Sequence, residues 1–479
     1  SRVRKPSIDL WLFPHGGTLP SSVRAAGPAD DSDNTAPVSA LAEPAGQGTP
    51  ASADRIATPP DGTELGTSIA PVVFPYRMEK LGGLVHYRDG HVELKDVRAQ
   101  YGATKMRTGG WCDFYPDGSW KLRLERLSVD RARLHGGDQE LVAALPAALR
   151  GAVAELRPTG PINLKGTLEF SKQAPEAPLR TGWDVDLFLH QTSLQVGPQL
   201  DNVFGAVRLY GGSDGKRFSS FGELKLDSLT YKNFQFTEIL GPLWFDQRNV
   251  YLGTLPHALP NGQKSGRVTA KLFGGVVAAD CQVRLGAVPQ YHLIAALSGA
   301  DLGRFAAENM THHRTLNGRV LANVELQGSR GQHTLVGSGN VHLSEANVYE
   351  LPLIVSLLKI VRARAPDSTA FTESDIVFRI NGPHVTLTRI DLRGDALDLS
   401  GHGELKLDGQ ANPIKLDLHT TVGRGAIPII SGMFSEASQQ ILKIRVEGPL
   451  DQPQTWTEAV PMVGEALERL RADYEEPAR

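Results

Sequence analysis

The stretch ALDLSGHGELKLDG, Ala396 to Gly409, decides how this chain folds. Leu397, Leu399, Gly401, Gly403, Leu405 and Leu407 share one parity, and Asp398, Ser400, His402, Glu404, Lys406 and Asp408 share the other. Successive side chains of a β-strand point to opposite faces, so the run reads as a half-buried strand pair or one long bent strand. Gly401 and Gly403 fall on the apolar face, where a missing side chain permits a tight bend or close approach of another backbone. Beyond the turn signal Asp408-Gly409 the period resumes at Ile414, Leu416 and Leu418. Upstream the same alternation runs through Leu335, Gly337, Gly339, Val341 and Leu343, then through Ile376, Phe378 and Ile380 into Asn381-Gly382.

Between these blocks lies LPLIVSLLKIVRAR, Leu351 to Arg364, with a different period. Leu353, Ile354, Leu357, Leu358, Ile360 and Val361 would cover most of a helix surface, leaving Ser356 and Lys359 on the polar side. Pro352 suits a first helical turn, and Lys359, Arg362 and Arg364 suit a last one. The segment is shorter than the roughly 20 apolar residues a bilayer span needs. It reads either as a cap on the end of a β-structure's core or as a plug over an apolar channel.

Working outward, YRDGHVELKDV (Tyr87 to Val97) repeats RINGPHVTLTRI (Arg379 to Ile390). At a constant offset Leu94 matches Leu387, Val97 matches Ile390 and Gly110 matches Gly403. In both copies the apolar parity switches between the first two of these positions, as a β-bulge requires. A shared irregularity argues for shared architecture more strongly than shared alternation does.

The rest of the chain fits around this unit. Residues 1–24 hold one strand-like run with Ile8, Leu10 and Leu12, expected to belong to a preceding unit. Residues 25–69 are Ala, Pro, Ser, Thr, Asp and Gly with almost no large apolar residue, the composition of a disordered insertion. Residues 70–299 form a β-repeat region with strand runs such as WDVDLFL, FGAVRLYGG and FGELKLDSLTY. Within it, 138–156 is a helical stretch with Leu141, Leu145, Leu149, Val153 and Leu156 along one side. Asp89-Gly90, Asp117-Gly118, Asp214-Gly215, Asn261-Gly262 and Asn317-Gly318 read as hairpin turns. Short helices are expected at 300–310 and 426–441. Residues 454–479 read as a C-terminal helix and tail, with Val460, Val463, Leu467 and Leu470 at heptad-like spacing. The expected fold class is mainly β: an elongated, repeated antiparallel sheet forming a groove or an incompletely closed barrel, with a few short helices capping it.

Composition narrows the function. Lys and Arg number 50 and Asp and Glu 53, so no basic excess points to nucleic acid. The 50 Gly and 31 Pro with only 7% aromatic residues favour many turns and short strands. Cys112 and Cys281 form no metal-binding spacing and are expected to be free thiols. Gly211 to Lys216 is no phosphate loop, because Tyr210 stands where its first glycine belongs and Arg217 where Ser or Thr must bind magnesium. Asp184 and Asp186 share the polar side of a strand opposite Trp183 and Val185, and His312-His313 lack a third ligand at metal spacing. No nucleophile elbow, HExxH or Cys/His pairing is present, so the reading is a protein that is not an enzyme and carries neither cofactor nor metal.

GSGNVHLSEANVYELPLIVSLLKIV, the alternating FRINGPHVTLTRIDLRGDALDLSGHGELKLDG and ILKIRVEGPLDQP, in that order, resemble the C-terminal region of AsmA-like proteins. The resemblance covers about Leu316 to Pro453, so that 300–453 would be an AsmA-like C-terminal region, and it lies in the order of elements more than in one motif. That family is related to TamB and the bridge-like lipid transfer proteins. The resemblance implies repeated β-units forming a long groove with an apolar lining, a place in the periplasm or cell envelope, and an inner-membrane anchor outside this chain. It implies lipid acyl chains as partners, with inner-membrane and outer-membrane proteins besides. The expected lining is Val341, Leu343, Leu357, Leu397, Leu399, Leu405, Leu407, Ile414, Leu416 and Leu418. The competing reading is a rigid envelope scaffold or outer-membrane assembly factor in which the same face is a dry core.

Overall fold

The computed structural model describes residues 7–12, 78–134, 157–195, 199–258, 262, 264–309, 316–329, 331–347, 372–394, 398–407, 412–421, 441–449 and 453–460. They form one sheet of 22 strands. The first are β1 Ser7–Leu12, β2 Glu79–Arg88, β3 His91–Tyr101, β4 Thr104–Phe114, β5 Trp120–Ala132, β6 Ile162–Lys172, β7 Arg180–Gln195 and β8 Gln199–Ser213. Next come β9 Phe218–Tyr231, β10 Phe234–Asp246, β11 Asn249–Leu252, β12 Val268–Leu272, β13 Gly275–Arg284, β14 Gln290–Asp301, β15 Asn317–Gly328 and β16 Val336–Asn347. The last are β17 Glu373–Asn381, β18 His384–Arg393, β19 Asp398–Lys406, β20 Pro413–Thr421, β21 Ile441–Pro449 and β22 Gln454–Val460.

Every described pairing is antiparallel and joins strands adjacent in the chain, with one exception. β11 and β12 both lie between β10 and β13 and share one position in the sheet, end to end. Segment 253–267 therefore leaves the sheet in mid-strand. It folds back over β10, where Leu255 is buried and the His257 ring stands 5.1 Å from that of Trp244. Asp280 ties the segment down, accepting from Thr254 N at 2.7 Å and pairing with Arg267 at 2.9 Å. Gly262 thus belongs to this excursion, while Asn261 lies outside the described residues.

β1 and β22 are the two ends of the sheet and do not pair with each other, so the sheet is elongated and not closed into a barrel. β1 is the edge of this same sheet. In such a meander successive connections alternate between two long rims. One rim carries short turns, among them 89–90, 214–217, 285–289, 329–335 and 382–383. The other carries all the long connections: 13–78, 133–161, 302–316, 348–372 and 422–440. The helical stretches expected at 138–156 and 351–361, the one expected at 426–441 as far as residue 440, and the insertion at 25–69 lie outside the described residues; Ile441 opens the strand β21. At 302–309 the chain forms α1, Leu302–Asn309, shorter than the expected 300–310. Asp301 caps it, its Oδ1 accepting from Gly303 N and Arg304 N, and Phe305 sets its ring edge-on to Phe273 at 5.3 Å.

Local chemistry accounts for the turns. Asp89 and Gly90 both take positive φ, 54° and 83°, between the paired ends Arg88 and His91, the geometry of a two-residue hairpin. Asn317-Gly318 behaves differently from its expectation. It opens β15, and the register with β16 shifts between Asn317 and Arg319, so the dipeptide serves a bulge. The C-terminal helix is also corrected over its first residues, since 454–460 is a strand paired to β21. β21 would otherwise present a row of unpaired N–H and C=O groups, and Thr455 and Thr457 sit well in a strand.

Candidate functional site: the apolar face of the sheet

The bulges keep one face apolar. In β3 the register shifts between Leu94 and Val97, in β18 between Leu387 and Ile390, and in β5 between Leu124 and Leu127. Each shift restores parity, so the apolar residues before and after it stay on the same side.

The result is a set of unbroken cross-strand rows. One begins at Leu127 of β5 and passes through Gly166, Val185, Leu209, Gly222 and Leu243. It continues through Leu252, Cys281, Leu293, Leu326 and Gly337. It ends through Ile380, Val385, Leu405, Ile414 and Gly448 of β21. Every member is apolar or glycine. A parallel row runs Ala279, Ala295, Val324, Gly339, Phe378, Leu387, Gly403, Leu416 and Val446.

Burial along this face is uneven. Over β18 to β21 it is a packed cluster, with Leu399, Leu418, Ile444 and Val446 fully buried beside Ile390, Leu392, Ile414 and Leu416. A second cluster over β6 to β12 holds Ile162, Leu189, Val203, Leu226, Ile239 and Ala270. Between them, on β13 to β16, the same face is only half-buried at Ala279, Cys281, Leu293, Ala295, Val324, Leu326 and Val341. On β15 the alternation is complete, each apolar-face residue half-buried and each opposite residue exposed.

The sequence-derived lining falls on this face. Val341 and Leu418 share one row, Leu343 and Leu399 another, and Leu405 pairs with Ile414. Leu399, Ile414, Leu416 and Leu418 are buried, while Val341, Leu343, Leu405 and Leu407 are half-buried. Leu357 and Leu397 lie outside the described residues. The half-buried stretch on β13 to β15 lies outside the expected lining, although its residues alternate in the same way.

The opposite face is polar and crossed by ion pairs: Arg208 to Asp184 at 3.2 Å, Lys271 to Glu238 at 2.7 Å, His292 to Glu325 and His342 to Asp375 both at 2.8 Å. Pairs this exposed contribute about 0–1 kcal/mol each and serve mainly to favour the register. Asp417 is pushed up by partial burial, but the Arg445 hydrogen bond and the charges of Lys443 and Arg445 outweigh this and hold its carboxyl below the ordinary value. The apolar face has few polar groups. Trp183 Nε1 donates to Ser220 Oγ at 3.0 Å, and Ser220 is fully buried. Burial pushes the Cys112 and Cys281 thiols up to about 11, and both cysteines are free.

Among the described residues no group of three or more His, Cys, Asp or Glu is placed to hold a metal ion, and no helix is long and apolar enough to cross a membrane. His312-His313 lie outside the described residues. Asp184 and Asp186 do lie on the polar face, with Arg208 between them and solvent-exposed. Gly211 to Lys216 ends β8 and forms the hairpin tip to β9, where Asp214 accepts from Lys216 N and Arg217 N. No family model, curated protein or solved structure matches the chain.

Proposed function

We propose that this chain is a non-enzymatic cell-envelope protein whose apolar β-groove holds or conducts lipid between membranes. The observation that carries the reading is the unbroken apolar row from Leu127 to Gly448, left half-exposed over β13 to β16. Each methylene leaving water for such a surface gains about 0.8 kcal/mol, so a run of leucines, valines and alanines holds an acyl chain without polar recognition. An elongated sheet that is not closed into a barrel offers that surface as a path. The resemblance of 316–453 to AsmA-like proteins supports the envelope setting, with an inner-membrane anchor supplied outside this chain and membrane proteins as partners.

The packed cluster around Leu399 and Leu418 favours a second reading, a rigid scaffold or assembly factor with a dry core. One experiment separates the two. The chain is purified without detergent, and lipid bound to it is released and identified by mass spectrometry. The groove reading expects bound lipid on the wild type and loss of it on Val324→Asp, with the β-sheet circular dichroism unchanged. Wild-type protein free of lipid, or a folded Val324→Asp variant that keeps it, would sink the groove and leave the scaffold.

A further inference from the structure

The polar face changes character over β13 to β17. Elsewhere ion pairs dominate it, but here amides crowd together: Gln282, Gln290, Gln327, Asn323, Asn340 and Asn381 all point to that side. We infer that this stretch binds a neutral, β-1,4-linked oligosaccharide, on the side of the sheet opposite the groove and independently of it.

Two adjoining hollows shape the surface. One, a cavity of about 580 Å³, lies on the short-turn rim between connections 285–289 and 329–335, where Arg284 stands across from Gln290 and Gln327 across from His292. The other, of about 390 Å³, is lined by Ser338, Asn340 and Arg389 among others. They meet on β16, where Val336 belongs to the first and Ser338, the next residue on the same face, to the second. Both volumes fall in the usual range of about 300–1,000 Å³ for small-molecule sites.

The donor set favours hydroxyls over an anion. A side-chain amide offers both N–H and C=O, and a sugar hydroxyl likewise both donates and accepts, whereas a phosphate would leave the amide oxygens facing its own. The cavity at the rim is lined by three such amides, and its residues include one guanidinium, Arg284, and no carboxylate. The charges around it are engaged with one another: His292 with Glu325 and His342 with Asp375 at 2.8 Å, and Arg389 with Asp391 at 3.3 Å.

The register adds a length. Tyr251, Gln282, His292 and Gln327 are partners across successive strands, so they form one row on this face. Neighbours in such a row repeat at the strand spacing of about 4.8 Å, close to the length of one pyranose in an extended β-1,4-linked chain. A glycan lying across the strands therefore meets one side chain per sugar. Gln282 Nε2 donates to Tyr251 Oη at 2.9 Å, which leaves the Gln282 carbonyl to accept from a hydroxyl. The half-buried Tyr251 ring ends the row with an apolar surface for the C–H face of a sugar.

Calorimetric titration of the full chain with cellohexaose, maltohexaose and inorganic phosphate tests this. Cellohexaose should bind, and maltohexaose, the same hexose in a curved chain, at least about tenfold more weakly. Gln290→Ala and Gln327→Ala should each weaken cellohexaose by about three- to tenfold, as loss of a neutral hydrogen bond does. Both side chains are exposed, so circular dichroism and the melting temperature should stay at wild-type values. Asp184→Asn, elsewhere on the polar face, should change nothing. Absence of cellohexaose binding, or binding undiminished in the Gln290→Ala/Gln327→Ala double variant, would overturn the site. Equal binding of maltohexaose would overturn the β-1,4 assignment. Phosphate binding tighter than cellohexaose and lost on Arg284→Ala would make the cavity an anion site instead.

Discussion

Leu387 stands directly across the ladder from Gly403, and the next paired residue on its strand is Ile390, with Thr388 and Arg389 taken up by a bulge. The same relationship holds between Leu94 and Gly110, with the next pair at Val97. Two hairpins far apart in the chain thus solve one problem in one way: a glycine lets the strands approach where the bulge increases their twist.

The glycines should therefore resist even one methyl group. A Cβ at Gly403 would lie 2.4 Å from Leu416 Cδ2 and 2.5 Å from Lys415 O, and one at Gly110 would lie 2.0 Å from Arg123 O with φ at 151°. Gly403→Ala and Gly110→Ala should each destabilise the sheet by about 1–3 kcal/mol in urea denaturation. Gly286→Ala, with nothing within 4 Å, should leave the midpoint where it is.

Thiol chemistry reads out the apolar face independently. With both thiols pushed up from 9.0 to about 11, alkylation of native protein at pH 8 should run about a hundredfold slower than that of a free cysteine. The rate should climb with pH until about 11 and reach the free value once urea unfolds the chain. The sign for stability follows, because a folded pKa raised above the unfolded one favours the native state at low pH. This contribution is full below pH 9 and is lost as pH rises toward 11. Masses of the untreated and reduced chains should agree, as no disulfide joins the two.

Asp417 works in the opposite direction. Its carboxyl titrates below the ordinary value of 3.8 in the folded state, so its contribution is present above that value and is lost as pH falls through the folded pKa. Asp417→Asn should cost about 0.5–1 kcal/mol at pH 7, the size of a partly exposed charge network, and progressively less in acid. Urea midpoints from pH 7 down to pH 2.5 measure this, and a cost independent of pH would remove the ion pairs from the account.

Most of the sheet is legible because its two faces differ in chemistry residue by residue, as on β15, where Val320, Ala322, Val324 and Leu326 alternate with Arg319, Leu321, Asn323 and Glu325. The bulges are legible as parity switches. What is hidden is nonlocal. NVYL and VTAKL each read as a strand, and only the register with β13 shows that they share one position. The strand at 454–460 answers the hydrogen-bonding demand of β21's edge, a demand that the heptad-like spacing of Val460, Val463, Leu467 and Leu470 does not record. Arg284 and Gln327 are remote in sequence, and their common cavity exists only through the pairing of β13, β14 and β15. Period two also gives Leu399 and Val324 the same reading, although one is sealed and the other half open.

That difference yields the last prediction. Leu399, paired across the ladder with Leu392 and Thr420, is fully buried in the β18 to β21 cluster, so Leu399→Asp places a carboxylate where water does not reach it. Breaking such a core costs about 3–5 kcal/mol, a large share of a domain's net stability, and the variant should lose its cooperative thermal transition. Val324, between Ala295 and Gly339 on the half-buried stretch, leaves an aspartate room to turn its head into water, so Val324→Asp should melt within a few degrees of wild type. Asp398→Ala, at the start of β19, gives up the acceptor of Gly394 N at 3.3 Å and should cost no more than about 1 kcal/mol. Equal damage from Leu399→Asp and Val324→Asp in thermal scans would mean that the face is closed along its whole length, and the groove would have no opening on β13 to β16.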